Sequence, residues 1–115
     1  MTTGRRRAAK RRGHWAETAA AWSLRLKGYR IAAARHRTDL GEIDLVARRG
    51  RIVAFVEVKA RPTLAEALAA VTPTQRRRIE NVARTYLARL PEDADRAVRF
   101  DVIAVRPWRW PSHLA

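Results

Sequence analysis

The chain has 115 residues, 47% of them apolar, and a formal net charge of +14 from 25 Lys and Arg against 11 acids. That length holds one compact domain with a single core, and the absence of cysteine excludes disulfide frameworks and thiolate metal sites. An arginine-dominated excess of positive charge points to a polyanionic partner, nucleic acid ahead of an anionic membrane surface.

Met1 to Arg12 gathers Arg5, Arg6, Arg7, Lys10, Arg11 and Arg12 with no acid among them. Like charges in a block repel one another, so residues 1–12 are expected to form a flexible arm lying along phosphates. A solvated tail and an Arg-rich transit peptide are the other readings. The stretch lacks the apolar segment of a secretory signal, and no run approaches the roughly 20 residues of a membrane span. A cytoplasmic location is expected. Gly13 opens the expected domain, residues 13–105. His14 to Lys27 is Ala-rich and helical, with Gly28 as its stop. Its stripe of Trp15, Ala19, Trp22 and Leu26 reads as core-facing, and Glu17 lies in line with Ala21 and Leu24 on the other side.

Tyr29 to Arg37 reads as a first strand. Leu40 to Ala47 and Arg51 to Lys59 form a hairpin around Arg48-Arg49-Gly50. Leu64 to Val71 is a short helix, and Pro73 starts a longer one running to about Leu90, buried through Ile79, Val82, Ala83, Tyr86 and Leu87. Val98 to Val105 is the last strand. Arg106 to Ala115 forms a Pro- and Trp-rich tail without regular structure. The predicted order is α-β-β-β-α-α-β, an α/β domain with a central mixed sheet flanked by helices.

The hairpin concentrates the chemistry. A turn centred on Arg49-Gly50 pairs Ala47 with Ile52, Asp44 with Phe55 and Glu42 with Glu57. Glu42, Asp44, Glu57 and Lys59 then leave one sheet face, with Asp44 and Glu57 as diagonal neighbours. Carboxylates gathered in a very basic chain repel each other and any phosphate. A bound Mg²⁺ or Mn²⁺ removes both objections, because one or two carboxylates plus water and substrate phosphate suffice to hold it. Lys59 points at the same spot and is suited to stabilise a pentacovalent phosphate. The plainer reading is a structural ion-pair network.

The stretches Gly13-His14-Trp15-Ala16-Glu17, Gly41-Glu42-Ile43-Asp44-Leu45, Phe55-Val56-Glu57-Val58-Lys59-Ala60-Arg61 and Arg99-Phe100-Asp101-Val102 resemble the YraN-like family. That family's core is similar to PD-(D/E)xK nucleases, especially archaeal Holliday-junction resolvases. The resemblance implies a restriction-endonuclease-like core and metal-dependent hydrolysis of phosphodiester bonds, with DNA as substrate, at branched or damaged structures. It makes Asp44 and Glu57 metal ligands with the Val58 carbonyl, Lys59 the catalytic lysine, and Glu17 the helix acid completing the metal or water shell. Ile43 replaces the proline that names the wider superfamily, and Gln75 stands where related sequences carry a lysine. Gln75 is therefore a weaker catalytic candidate, with an exposed helix-start residue as its other reading. A non-catalytic nucleic-acid-binding module or an RNA-associated scaffold is the competing class.

Arg61, Arg76, Arg77 and Arg78 would track phosphates if the long helix borders the site. His14, His36 and His113 show no metal-ligand spacing, and Asp101 reads as a structural hydrogen-bonding group. Trp108 and Trp110, flanked by Arg106 and Arg109, either stack on unpaired bases, close the core or lie in a protein interface. Symmetric cleavage of two strands would require a homodimer.

Overall fold

The computed structural model describes residues 3–91, 95–106 and 108–114, with side chains described from residue 14. A long helix α1 (Thr3–Leu26) precedes strands β1 (Arg30–Thr38), β2 (Gly41–Arg49) and β3 (Ile52–Ala60). Helices α2 (Leu64–Ala69) and α3 (Pro73–Ala88) follow, then β4 (Ala97–Val105) and β5 (Ser112–Leu114). The five strands make one mixed sheet in chain order. Among the described residues only β3 and β4 run parallel, joined by the α2–α3 crossover. This is an α/β fold with a helical layer on each face. Among the described residues, no helix is long and apolar enough to cross a membrane.

Two elements differ from expectation at the termini. Helix α1 begins at Thr3, inside the stretch expected to be a flexible arm, and continues through Gly13. Ala and Arg both favour helix, and the helix accommodates Gly4 as well as Gly13. The tail forms β5, pairing Val102 with Leu114 and Ala104 with Ser112. The C-terminus of α1 ends as Gly28 predicts. Gly28 takes φ +91, its N–H bonds to the Arg25 carbonyl and the Tyr29 N–H to the Leu24 carbonyl.

The buried side of α1 also differs. Ala16, Ala20 and Leu24 are buried, together with Ala21, against Leu45, Ala47, Val56 and Ile103. Trp15 and Trp22 are 58% and 57% exposed, so neither is core, and Leu26 points outward with them. Alanines let the helix axis approach the sheet closely, which the large indoles would prevent. On the opposite face α3 seats Ile79, Val82 and Ala83 over Ile43, Val46, Val53 and Phe55. Tyr86 adds edge contacts to Phe55 and His36.

Helix α3 starts at Thr72, whose hydroxyl accepts from the Gln75 N–H at 3.1 Å, and Pro73 fills the first turn. Thr72→Ala should cost about 1 kcal/mol of stability in chemical denaturation.

Candidate active site

The β2–β3 turn lies one position later than expected. Gly50 takes φ +57 and Arg49 pairs with Ile52, so Ala47 faces Ala54 and Val46 faces Phe55. The shift is two residues in register, an even number, and by itself moves no side chain to the other side. The ladder stops at Leu45 and Val56. At the next position the Asp44 carboxylate takes over, accepting the Val58 N–H through Oδ2 at 2.8 Å.

Strand β2 turns over at this residue. Ile43 and Val46 both pack under α3, whereas Leu45 and Ala47 face α1. Positions three apart share a face only where the strand is irregular. Across β1, Arg35 lies between the partners of Leu45 and Ile43 and adopts φ +50. The kink removes Glu42 from the cluster. It pairs with Arg37 at 3.2 Å across the outer hairpin, so the expectation of three acids on one face is corrected to two.

Glu57 is 4% exposed and sits between three neighbours. Its Oε1 accepts from Gln75 Nε2 at 3.2 Å and lies 3.5 Å from Lys59 Nζ. Its Oε2 is buried without a hydrogen-bond partner among the described residues. Burial, then the neighbouring Asp44 carboxylate, push the Glu57 carboxyl up to about 8, while Lys59 acts in the opposite sense. Two carboxylates this close need a proton or a cation between them. Asp44 and Glu57 are the residues here that could hold a small divalent ion, and Glu57 Oε2 is the oxygen left without a partner among the described residues. The Val58 carbonyl leaves the strand on the same edge as its N–H, beside Asp44. Gln75, expected as the weaker candidate, is brought into the cluster by the first turn of α3.

Glu17 is not brought there. It faces the sheet from α1, lines a cleft with Ala34, Arg35 and Leu45, and is held by Arg35 Nε at 2.7 Å. The cluster of Lys59 and Gln75 stands on the α3 face instead. No three His, Asp or Glu side chains converge on one point among the described residues.

Residues 16–105 match the profile described as "Uncharacterised protein family UPF0102". The chain belongs to the UPF0102 family, the YraN family of the resemblance. It is 57% identical over 109 residues to a UPF0102 protein of Chelativorans sp., covering 95% of this chain and 88% of that protein. A UPF0102 protein of Bartonella henselae is 56% identical across 96% of this chain and 88% of its own length. One from Rhizobium meliloti is 56% identical, with 92% and 87% covered.

In this UPF0102 chain the remaining basic candidates divide by position. Arg76, Arg77 and Arg78 are exposed and follow Gln75 directly, with Arg76 over the Phe100 ring at 4.7 Å. Arg61 is exposed one residue past β3, and its N–H bonds to the Val105 carbonyl. The side chains of Arg5, Arg6, Arg7, Lys10, Arg11 and Arg12 lie outside the described residues.

A second polar network fills the α1 face. Asp101, fully buried, accepts both Arg99 Nη2 at 2.7 Å and His113 Nε2 at 2.6 Å. Burial alone would raise its carboxyl, but the His113 and Arg99 hydrogen bonds outweigh it and hold Asp101 below the usual carboxylate range. This agrees with a structural role for Asp101. Arg99 also donates to the Tyr29 hydroxyl, and Lys27 reaches His113 Nδ1 at 3.2 Å. His113 was invisible as a member because its strand was unexpected. Only the Arg99-x-Asp101 spacing, which puts both on one side of β4, signalled the network.

Proposed function

We propose that the chain is a metal-dependent nuclease hydrolysing DNA phosphodiester bonds, at branched or damaged structures, on a restriction-endonuclease-like core. The observation that supports this best is that Asp44 and Lys59 flank the buried Glu57 carboxylate, whose Oε2 has no hydrogen-bond partner among the described residues. Asp44, Glu57 and the Val58 carbonyl would hold Mg²⁺ or Mn²⁺. When bound, such an ion polarises a phosphoryl oxygen and favours ionisation of water.

The chain's own residues do the rest. The Val58 N–H fixes the Asp44 carboxylate, and Gln75 fixes Glu57, so neither ligand has to be ordered on binding. Lys59 leaves its carboxylate neighbour to meet the charge that develops on the phosphoryl group. Arg61, Arg76, Arg77 and Arg78 hold the strand by its phosphates, with little reading of sequence. Gln75→Ala should weaken Mn²⁺ affinity by roughly tenfold, read by titration calorimetry, because the Glu57 carboxylate loses its orienting donor.

A second reading, a nucleic-acid-binding module or RNA-associated scaffold without catalysis, draws on Glu17. That acid is engaged by Arg35 rather than joined to Asp44 and Glu57. Strand cleavage with Mg²⁺ or Mn²⁺ on junction, flap, duplex and single-stranded substrates separates the two. Metal-dependent cleavage supports the nuclease. Binding that weakens steeply with salt and never leads to cleavage supports the module.

A further inference from the structure

Trp108 is 101% exposed and holds φ +58, a left-handed conformation that bulky side chains seldom adopt. Indoles are among the most buried side chains on average, and a strained backbone that presents one to solvent is a feature of binding sites. Its turn is closed by the Arg109 N–H on the Arg106 carbonyl at 3.4 Å, and Arg106 is itself tied to Ser112 at 3.0 Å. The tryptophan is therefore mounted between two anchored strands, β4 and β5.

The turn also has a defined position. β3 and β4 run parallel, with Lys59 beside Ala104 and Ala60 beside Val105. Trp108 thus lies past the same strand ends that present Lys59. It lies four positions along the chain from Ala104, a reach of at most roughly 14 Å. At 3.4 Å of rise per nucleotide, that is about four base steps. Arg109 is exposed next to it, and Arg61 is bonded to Val105 at the base of the turn.

We infer that Trp108 is a stacking platform for an unpaired nucleobase close to the phosphate held at Asp44, Glu57 and Lys59. This rests on the nuclease reading and names its substrate class as nucleic acid with unpaired nucleotides beside a duplex. An indole face accepts any base, and flanking arginines neutralise the adjoining phosphates, so the contact selects structure rather than sequence. Trp22 lacks these features. It is exposed on α1, across the sheet from Lys59, with Arg25 against its ring at 5.2 Å.

The test measures binding with Mg²⁺ in a Lys59→Ala background, so that strands stay intact, using a labelled duplex with a single-stranded flap and the same duplex without it. Trp108→Ala should weaken flap binding relative to duplex by roughly 5- to 100-fold. Trp108→Phe should restore most of the preference, and Trp22→Ala should leave it unchanged. Equal affinity of Trp108→Ala and its parent for the flap, or equal losses on both substrates, would overturn the stacking role alone. Failure of the parent to bind either substrate would overturn the nuclease reading and the stacking role together.

Discussion

Replacing Lys59 with alanine should slow strand cleavage by roughly 10²- to 10³-fold, the effect of deleting one donor aimed at developing charge. Asp44→Ala should be at least as damaging, because it removes both a ligand and the acceptor of the Val58 N–H at 2.8 Å. Neither change touches Arg61, Arg76, Arg77 or Arg78, so duplex affinity should hold within a few-fold. Lys59→Ala also removes the cation that lies 3.5 Å from Glu57, which raises the demand for a divalent ion. Single-turnover cleavage measured beside filter binding checks both halves. Cleavage that survives either substitution would place the chemistry at another site.

The stability of the metal-free protein should fall as pH rises from about 4.5 to about 8. Glu57 is protonated over that window in the folded chain, with its carboxyl at about 8 against an ordinary 4.5. In the unfolded chain it is ionised there, so the folded state binds more protons and loses ground with each step upward. The slope from this group reaches about 1.4 kcal/mol per pH unit. Below 4.5 both states are protonated and the contribution is complete; above 8 both are ionised and it is gone. Asp101 works in the opposite sense and lower down, since its depressed carboxyl loses stabilisation only as pH falls below the ordinary 3.8. Glu57→Gln should remove the slope between 5 and 8 and raise the melting temperature at pH 8. Mg²⁺ must displace the Glu57 proton, so its thermal shift should be larger at pH 8 than at pH 6. Thermal melts across pH, with and without Mg²⁺, read all three. A flat profile in the wild-type chain would mean that Glu57 is ionised in the folded state.

Much of the site was legible because strand periodicity is two. The predicted register was off by an even number of residues, and Asp44 and Glu57 therefore kept their shared side. Gln75 was legible only through the resemblance, as the residue standing where related sequences carry a lysine, and Pro73 placed it in the first turn of α3. Glu42 and Glu17 were not. Strand β2 turns over at Asp44, across from the left-handed Arg35 of β1, and the Arg35 guanidinium holds Glu17, while nothing in Ala34-Arg35-His36 announces the irregularity. The Trp15 and Trp22 stripe misled because hydropathy ranks indole above alanine, whereas close helix–sheet approach selects Ala16 and Ala20. Strand β5 has only three residues, too short for a periodic pattern, and His113 was missed with it.

The most direct measurement is anomalous diffraction from a crystal soaked in Mn²⁺. One peak bonded to Asp44, Glu57 Oε2 and the Val58 carbonyl is expected, absent from an Asp44→Asn crystal. A saturating soak that leaves this position empty, with Lys59 still on Glu57, would contradict it.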